Sequence, residues 1–292
     1  TYGHVPRTGL VSYASSLDQI GPLARDITDL ALILNAICGH DSKDSTSATV
    51  EVPDFQGSLV NDVRGLKIGL PKEYFKAEIA LPVAAKIQEA IRQLEDLGAV
   101  CLEVSLPHTE YAVMAHYTIS CAEASSNLAR YDGVRYGLRV EAEDVTSMFA
   151  KTRGQGFGPE AKKRILLGTR VLSKECYDKY YTQALKARVL NKQDFDRVWA
   201  QVDCLLTPAT LTTAFKIGDK ENDSLAMYLS NYCAIPANLA GLPALVLPFG
   251  LVDGMPVGLQ LIGNHFTEQT LLRVGYTLER NTDQTCLRPA LA

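Results

Sequence analysis

The sequence has no apolar run long enough to cross a membrane, no secretory leader and no internal repeat. A spanning helix needs about 20 apolar residues, so we expect no membrane span. Repeats of roughly 20–50 residues mark solenoids and propellers, and their absence excludes those folds. The chain begins at Thr1 with no initiator Met and no polar leader, which favours an N-terminally truncated domain.

Disulfide and metal motifs are also lacking. The seven cysteines are odd in number and widely spaced, and no Cys-x-x-Cys pair occurs among them. This pattern favours reduced thiols and a cytoplasmic location over a disulfide framework. The five histidines form no His-x-His or His-Glu-x-x-His motif, so we expect no metal site.

The common nucleotide-binding and hydrolase motifs are absent as well: no GxGxxG follows a strand, and there is no GxxxxGK[ST] or GxSxG. The glycine-rich stretch Gly154–Gly158 before Lys162 and Lys163 could be a weak phosphate cradle. A loop that precedes a capped helix is the favoured interpretation. The serine pairs at 15–16 and 125–126 lie outside any glycine-rich turn, so we interpret both as structural.

What the chain does have is enough apolar sequence for a sizeable core. Hydrophobic residues make up 47% of the 292 residues and charged residues 21%, which indicates a globular protein. The formal net charge is -4. A mildly acidic chain is a poor direct ligand for phosphate backbones, so any role with nucleic acid would work through a partner.

Hydrophobic periodicity predicts an α/β fold. Strand-like runs at 66–70 and 100–104 flank an amphipathic helix at 82–97, and such a βαβ unit requires a parallel strand pair. Further predicted elements are helices at 26–38, 225–239 and 267–280, a mostly helical region at 108–199, and strands at 203–207, 244–248 and 257–263. We predict one domain, residues 1–292, with a mixed sheet and helices on both faces.

Three polar side chains are candidates for substrate binding. Arg164 is either a solvated cation beside two lysines or an inward-facing clamp for a carboxylate, which its planar guanidinium suits. Asn231 is either a polar residue at a helix end or a contact for a substrate amine. Tyr117 is by default half-buried core with its hydroxyl satisfied. Composition alone favours the structural interpretation for each residue.

Several stretches resemble amidase-signature enzymes, in the order in which that family carries them. They are Gly9-Leu-Val-Ser-Tyr-Ala-Ser-Ser-Leu-Asp-Gln-Ile-Gly-Pro-Leu-Ala-Arg25, Asp44-Ser-Thr-Ser, Cys121-Ala-Glu-Ala-Ser-Ser-Asn-Leu-Ala-Arg-Tyr-Asp-Gly-Val-Arg-Tyr-Gly137, Pro236-Ala-Asn-Leu-Ala-Gly-Leu-Pro243 and Val257-Gly-Leu-Gln-Leu-Ile-Gly263. Within the family, the chain resembles the glutaminase subunits of tRNA-dependent amidotransferases. The similarity covers essentially the whole chain.

The resemblance implies a single amidase-signature domain whose catalytic serine, cis-serine and lysine lie upstream of Thr1. No catalytic residue is therefore expected in this chain, which by itself should be inactive. Residues matching the family's substrate pocket are Arg164 for the glutamine carboxylate, Tyr117 from a tyrosine pair that here reads His116-Tyr117, and Asn231 for the amine. Asn231 stands where the family has an acidic residue, so amine recognition should weaken.

The resemblance also implies partners. The intact enzyme would hydrolyse glutamine and pass ammonia to the B and C subunits of a heterotrimer, where ATP and Mg serve the conversion of Glu-tRNA(Gln) to Gln-tRNA(Gln). No cofactor is expected in this chain, and tRNA would bind only through the partner. Two alternatives stay open: a stand-alone amidase for small amides, which the departure at Asn231 favours, and an inert scaffold domain.

Overall fold

The computed structural model describes residues 1–76, 78–220 and 223–283. The strands are β1 Lys67–Pro71, β2 Val100–Val104, β3 Cys204–Pro208, β4 Ala244–Val252 and β5 Met255–Gly263. The helices are α1 Ile27–Ile37, α2 Lys72–Lys76, α3 Leu81–Asp96, α4 Thr109–Asn127, α5 Val145–Gly156, α6 Pro159–Val171, α7 Thr182–Val198, α8 Ser224–Leu229, α9 Ile235–Ala240 and α10 Glu268–Asn281. A short 3-10 turn spans Leu128–Arg130 and a π-helical turn spans Tyr177–Tyr181.

The five strands form one mixed sheet in the order β2-β1-β3-β5-β4. Strand β1 pairs in parallel with β2 and β3, whereas β5 pairs antiparallel with β3 and β4. The predicted βαβ unit is therefore confirmed, because α3 connects two parallel neighbours. The predicted mixed sheet is confirmed as well.

Local sequence signals explain several of these boundaries. Helix α1 begins after Asp26, whose carboxylate accepts a hydrogen bond from the backbone N–H of Asp29, as an N-cap residue does. Strands β4 and β5 are joined by Asp253 and Gly254, both with positive φ. Asp-Gly is favoured in such two-residue hairpins because both positions must adopt the left-handed conformation.

Both faces of the sheet are covered by apolar side chains, as predicted. On one face, Ile68, Leu206 and Leu261 contribute to a core with buried residues of α1, α3 and α10. On the other face, Leu205 and Ile262 belong to a second cluster with residues of α7 and α9. The strands alternate between the two clusters because successive side chains of a strand point to opposite faces.

The single helix predicted at 225–239 is wrong, because the chain forms two short helices, α8 and α9, with a turn between them. Pro236 lies in the first turn of α9, where its missing N–H costs nothing. Inside a continuous helix the same proline would remove a hydrogen bond and clash with the preceding turn. The helix therefore ends and restarts ahead of the proline.

The predicted interruption at Gly154–Gly158 is only partly right. Helix α5 continues through Gly154 to Gly156, and the break is confined to Phe157 and Gly158. Gly158 is the N-cap residue of α6 and Pro159 follows at the start of the helix. Helical glycine costs only about 1 kcal/mol relative to alanine, so packing can keep α5 intact across two of them.

The described chain clusters into two compact units. Unit 1 contains Thr1–Thr8, Gln19–Val113 and Val189–Ala292, and it holds the sheet and both apolar clusters. Unit 2 contains Gly9–Asp18 and Met114–Arg188, and it holds α5, α6 and most of α4. The prediction of one domain over residues 1–292 stays a prediction. None of the described helices is long and apolar enough to span a membrane.

One buried hydroxyl gives a stability prediction. Tyr74 is fully buried in unit 1, and its hydroxyl has no hydrogen-bond partner among the described residues. Leaving a buried polar group unpaired typically costs about 1–3 kcal/mol. We therefore expect Tyr74→Phe to leave the free energy of unfolding unchanged or raise it by about 1 kcal/mol, measured by denaturant titration. A loss of more than about 1 kcal/mol would contradict this expectation.

Candidate functional site

Arg164 lies on α6 with its guanidinium held between two oxygen atoms. Its Nε donates to Glu160 Oε1 at 2.8 Å, and its Nη1 donates to the hydroxyl of Tyr13 at 2.7 Å. The arginine side chain is 26% exposed. Arg164 is therefore not a solvated cation of a lysine-rich face, although it is not fully buried.

Two aromatic rings form the walls around this guanidinium. Its central carbon lies 5.7 Å from the ring centroid of Tyr13 and 5.9 Å from that of Tyr117, within the range of cation–π contacts. The ring of Tyr117, the second residue of the pair His116-Tyr117, faces Arg164. Cys121 on α4 lies beside Tyr117 and the Arg164 guanidinium. We call Arg164, Tyr13, Tyr117, Glu160 and Cys121 the arginine site.

The charges of the arginine site follow from burial and hydrogen bonding. Burial alone would lower the pKa of Arg164, but the hydrogen bonds to Tyr13 and Glu160 outweigh it and raise the pKa. Burial raises the pKa of Tyr13, although the Arg164 guanidinium opposes the shift. Burial also raises the pKa of the Cys121 thiol. At neutral pH the site therefore presents the Arg164 cation, ion-paired with Glu160, beside a neutral phenol and a neutral thiol.

A close helix crossing brings these side chains together. A Cβ atom on Gly168 would lie 1.9 Å from the carbonyl oxygen of Cys121 and 2.8 Å from Cβ of Ser125. Only glycine allows α6 to approach the backbone of α4 at this point. Arg164 and Tyr117 lie four residues before Gly168 and Cys121, which is about one helical turn. The crossing therefore sets the separation of the guanidinium and the ring.

Tyr13 belongs to the loop Gly9–Asp18, which hydrogen bonds hold in place. The Asp18 carboxylate accepts from the backbone N–H groups of Tyr13 and Ala14 at 3.0 and 3.1 Å. The Asn127 amide donates to the Tyr13 carbonyl at 3.1 Å and to the Ser15 hydroxyl at 2.8 Å. The loop is thus anchored on both sides of Tyr13.

The serine pairs take part in structural hydrogen bonds. Ser16 donates through its hydroxyl to Glu123 at 2.5 Å and accepts from Nη1 of Arg188 at 2.7 Å. Ser125 donates to the carbonyl of Ala122 in its own helix. A nucleophilic serine needs a base that can take its proton and an oxyanion hole. Ser16 has a proton acceptor in Glu123, but it lies in no glycine-rich turn that would supply an oxyanion hole, so the structural interpretation is kept.

Asn231 lies in unit 1, in the turn between α8 and α9, and it is exposed. Its carbonyl oxygen accepts from the backbone N–H groups of Ala234 and Ile235, both at 3.1 Å. The structure therefore places it at a helix end, one of its two predicted positions. Its role toward a substrate amine stays a prediction.

Two other expectations concern anions and metals. The side chains near Gly154–Gly158 serve helix contacts, since Lys162 donates to the Gly154 carbonyl and Arg164 to Glu160. These contacts agree with a capped helix rather than a phosphate cradle. No cluster of three potential metal ligands occurs in the part of the chain that the structure describes. The six described cysteines are unpaired, and Cys286 lies outside the described residues.

Sequence reasoning missed Tyr13, Glu160 and Cys121. Glu160 lies four residues before Arg164, a spacing that typically gives a helical ion pair, so this contact could have been read from the sequence. Tyr13 could not, because it is 151 residues from Arg164 and only the folded chain brings them together.

Known proteins similar to this chain include one family model and several curated proteins of high identity. A family model described as Amidase matches residues 1–272. The glutamyl-tRNA(Gln) amidotransferase A subunit of Desulforamulus reducens is 59% identical over 292 residues, which is all of this chain and 60% of that protein. The Moorella thermoacetica protein of the same name is 58% identical over 291 residues, again 60% of its length. The chain thus spans about 60% of the length of these curated relatives.

Solved structures with the same fold include two enzymes of different names. The glutamyl-tRNA(Gln) amidotransferase A subunit from Thermotoga maritima gives a TM-score of 0.79 at 38% identity, and the match covers 97% of this chain and 57% of that one. Native peptide amidase from Stenotrophomonas maltophilia gives a TM-score of 0.74 at 27% identity, with 97% and 57% covered. The α/β architecture is therefore shared with solved proteins of different names.

Proposed function

This chain belongs to the amidase family, and from that premise we propose that it is part of the A subunit of a glutamyl-tRNA(Gln) amidotransferase. The proposed reaction is hydrolysis of the side-chain amide of glutamine to glutamate and ammonia. The observation that carries the proposal is identity of 54–59% to proteins of that name over the whole length of this chain. Identity at this level over the whole chain supports a shared substrate more strongly than a shared fold does.

The arginine site supports glutamine as the substrate. Free glutamine differs from a simple amide by its α-carboxylate and α-amine. A guanidinium presents paired N–H donors that match the two oxygens of a carboxylate, and Arg164 is walled by two aromatic rings. We propose that Arg164 binds the carboxylate and that Tyr117 lines the pocket.

Asn231 is proposed to contact the α-amine. Its side-chain oxygen can accept a hydrogen bond from an ammonium, but it carries no charge. A hydrogen bond to a charged group is typically worth about 1.5–3 kcal/mol, and a carboxylate at this position would gain more than an amide. We therefore expect weaker amine recognition than an acidic residue would give.

The partners follow from the same proposal. Ammonia would pass to the B and C subunits of a heterotrimer, where the partner would use ATP and Mg to activate Glu-tRNA(Gln). The net charge of -4 supports a chain that leaves tRNA binding to its partner. We also propose a cytoplasmic location, because the widely spaced cysteines favour reduced thiols.

A stand-alone amidase is the second candidate. The neutral Asn231 and the structural likeness to a peptide amidase are the observations in its favour. The relatives with 54–59% identity argue against it, since they share one name over the whole chain.

The test uses the full-length protein that contains this chain, purified with its partner subunits. We expect it to release ammonia from glutamine with a kcat/KM at least tenfold above that for 4-aminobutanamide, which is glutamine without its α-carboxylate. The physical reason is that a carboxylate bound by arginine is worth more than about 1.4 kcal/mol, or a factor of ten. Equal rates on both amides would favour the stand-alone amidase, and no hydrolysis of either would favour the scaffold.

A second prediction concerns the 292-residue chain by itself. We expect it to release no measurable ammonia from glutamine, because the resemblance matches none of its residues to the family's catalytic serine, cis-serine or lysine. Loss of a catalytic triad member typically lowers the rate by about four to six orders of magnitude. Ammonia release that one serine-to-alanine change abolishes would overturn this prediction.

A further inference from the structure

The hydroxyl of Tyr13 accepts a hydrogen bond from Arg164 Nη1 at 2.7 Å, so its own proton is directed elsewhere. The hydroxyl of Ser120 on α4 also lies beside it, and that hydroxyl donates to the carbonyl of Tyr117. A phenol rotates its O–H at little cost, so this proton can turn toward a carboxylate oxygen. Because burial raises the pKa of Tyr13, the proton is present at neutral pH.

Glu160 decides which edge of the guanidinium a substrate can use. The Glu160 carboxylate accepts from Nε of Arg164 and so occupies the edge of the guanidinium that carries Nε. A carboxylate bound to both arms would therefore approach the end formed by Nη1 and Nη2. Tyr13 contacts Nη1, so its hydroxyl lies at the same end of the guanidinium.

Two half-buried side chains, Glu123 and Arg188, hold the Tyr13 loop through Ser16. Glu123 accepts from both the backbone N–H and the hydroxyl of Ser16, at 2.9 and 2.5 Å. Arg188 donates to the hydroxyl and to the carbonyl of the same serine, at 2.7 and 2.9 Å. Charge-assisted hydrogen bonds of this kind are shorter and stronger than neutral ones. Four of them on one residue fix the loop three positions from Tyr13.

We propose that Tyr13 is a specificity-determining residue that donates its hydroxyl proton to one oxygen of the substrate carboxylate while Arg164 donates to both. The Ser16–Glu123–Arg188 cluster is the device that positions the Tyr13 loop for this contact. This inference rests on the proposed function, since it names a further group that recognises the same carboxylate. It adds a neutral donor to a site whose single cation is already partly neutralised by Glu160.

The experiment compares Tyr13→Phe with the parent enzyme in the full-length protein with its partner subunits. The variant keeps the ring beside Arg164 and removes only the hydroxyl. We expect KM for glutamine to rise about ten- to a hundredfold with kcat changed less than threefold, as for loss of one hydrogen bond to a charged group. The kcat/KM for 4-aminobutanamide should change less than twofold, because that amide has no carboxylate.

Tyr136→Phe is the matched control, because Tyr136 is an exposed tyrosine of unit 2 whose ring contacts Tyr131. It should leave both substrates unchanged, and the thermal midpoint of Tyr13→Phe should lie within a few degrees of the parent. An unchanged KM for glutamine in Tyr13→Phe, or an equal loss on both amides, would overturn the inference. If the parent enzyme shows no preference for glutamine, it is the proposed function that fails instead.

A second background separates direct contact from mere support of Arg164. In an Arg164→Lys enzyme, a tyrosine that acts only by orienting the guanidinium has nothing left to orient. Tyr13→Phe should then have no further effect. If the Tyr13 hydroxyl contacts the carboxylate, as proposed, Tyr13→Phe should still raise KM for glutamine at least threefold in the Arg164→Lys enzyme. No further rise would overturn the direct contact.

Discussion

Replacing Arg164 with lysine is expected to raise KM for glutamine about a hundredfold in the full-length enzyme, with a much smaller effect on kcat. Lysine carries a single point charge and cannot bind a carboxylate through two parallel hydrogen bonds. It also cannot hold Glu160 and Tyr13 at the fixed geometry of the guanidinium. A loss of about 3 kcal/mol, in the range for a disrupted charged contact, corresponds to that factor.

The measurement is initial-rate kinetics of ammonia release with glutamine and 4-aminobutanamide. Arg170→Lys is the matched control, because Arg170 lies on the same helix, is 66% exposed and pairs with Glu175 at 3.0 Å. Surface ion pairs contribute about 0–1 kcal/mol, so this change should leave both substrates unaffected. If Arg164→Lys raised KM for both amides equally, the arginine would not be a carboxylate clamp.

Replacing Gly168 with alanine is expected to destabilise the protein by about 3 kcal/mol or more. The new Cβ would lie 1.9 Å from a backbone carbonyl oxygen of α4, which no rotamer change can relieve. Overpacked sites typically cost about 1–3 kcal/mol, and a clash with backbone belongs at the upper end. The midpoint of thermal unfolding should fall by roughly 5–10 °C.

Gly154→Ala is the matched control for this prediction. Gly154 also lies inside a helix, but a Cβ there would meet no atom within 4 Å. Alanine in an exposed helix is about 1 kcal/mol more favourable than glycine, so the control should stabilise the protein slightly. In Gly168→Ala enzyme that remains folded, KM for glutamine should also rise, since α6 must move away from α4. An unchanged thermal midpoint would show that the crossing can relax.

The sequence alone predicted the sheet and most helices because their signals are local. The repeat of apolar residues in 82–97, the parallel pair that the flanking strands require and the Asp253-Gly254 hairpin all appear in the structure. The predicted helix at 225–239 failed at Pro236, where the proline interrupts helical hydrogen bonding although the apolar pattern continues. Hydrophobic periodicity shows which side of a helix or strand is buried, but it does not show where the helix is interrupted.

At the arginine site, too, residue type predicted one part and the fold decided the other. Residue type alone made Arg164 a candidate for a carboxylate, since few side chains offer a planar pair of donors. The two lysines beside it and the composition favour a side chain that faces solvent. The structure places its guanidinium against Tyr13 and Tyr117, through a helix crossing that depends on Gly168.

The sequence by itself determined most helices and strands, the mixed sheet and the choice of Arg164 as a candidate carboxylate ligand. Backbone propensity, periodicity and residue chemistry are properties of short segments. Only the tertiary structure decided that Tyr13 belongs to the site. That tyrosine reaches Arg164 across 151 residues, through a loop held by Ser16, Glu123 and Arg188. Contacts at such separation form only after loop closure, whose entropy cost is met by the whole fold rather than by any local pattern.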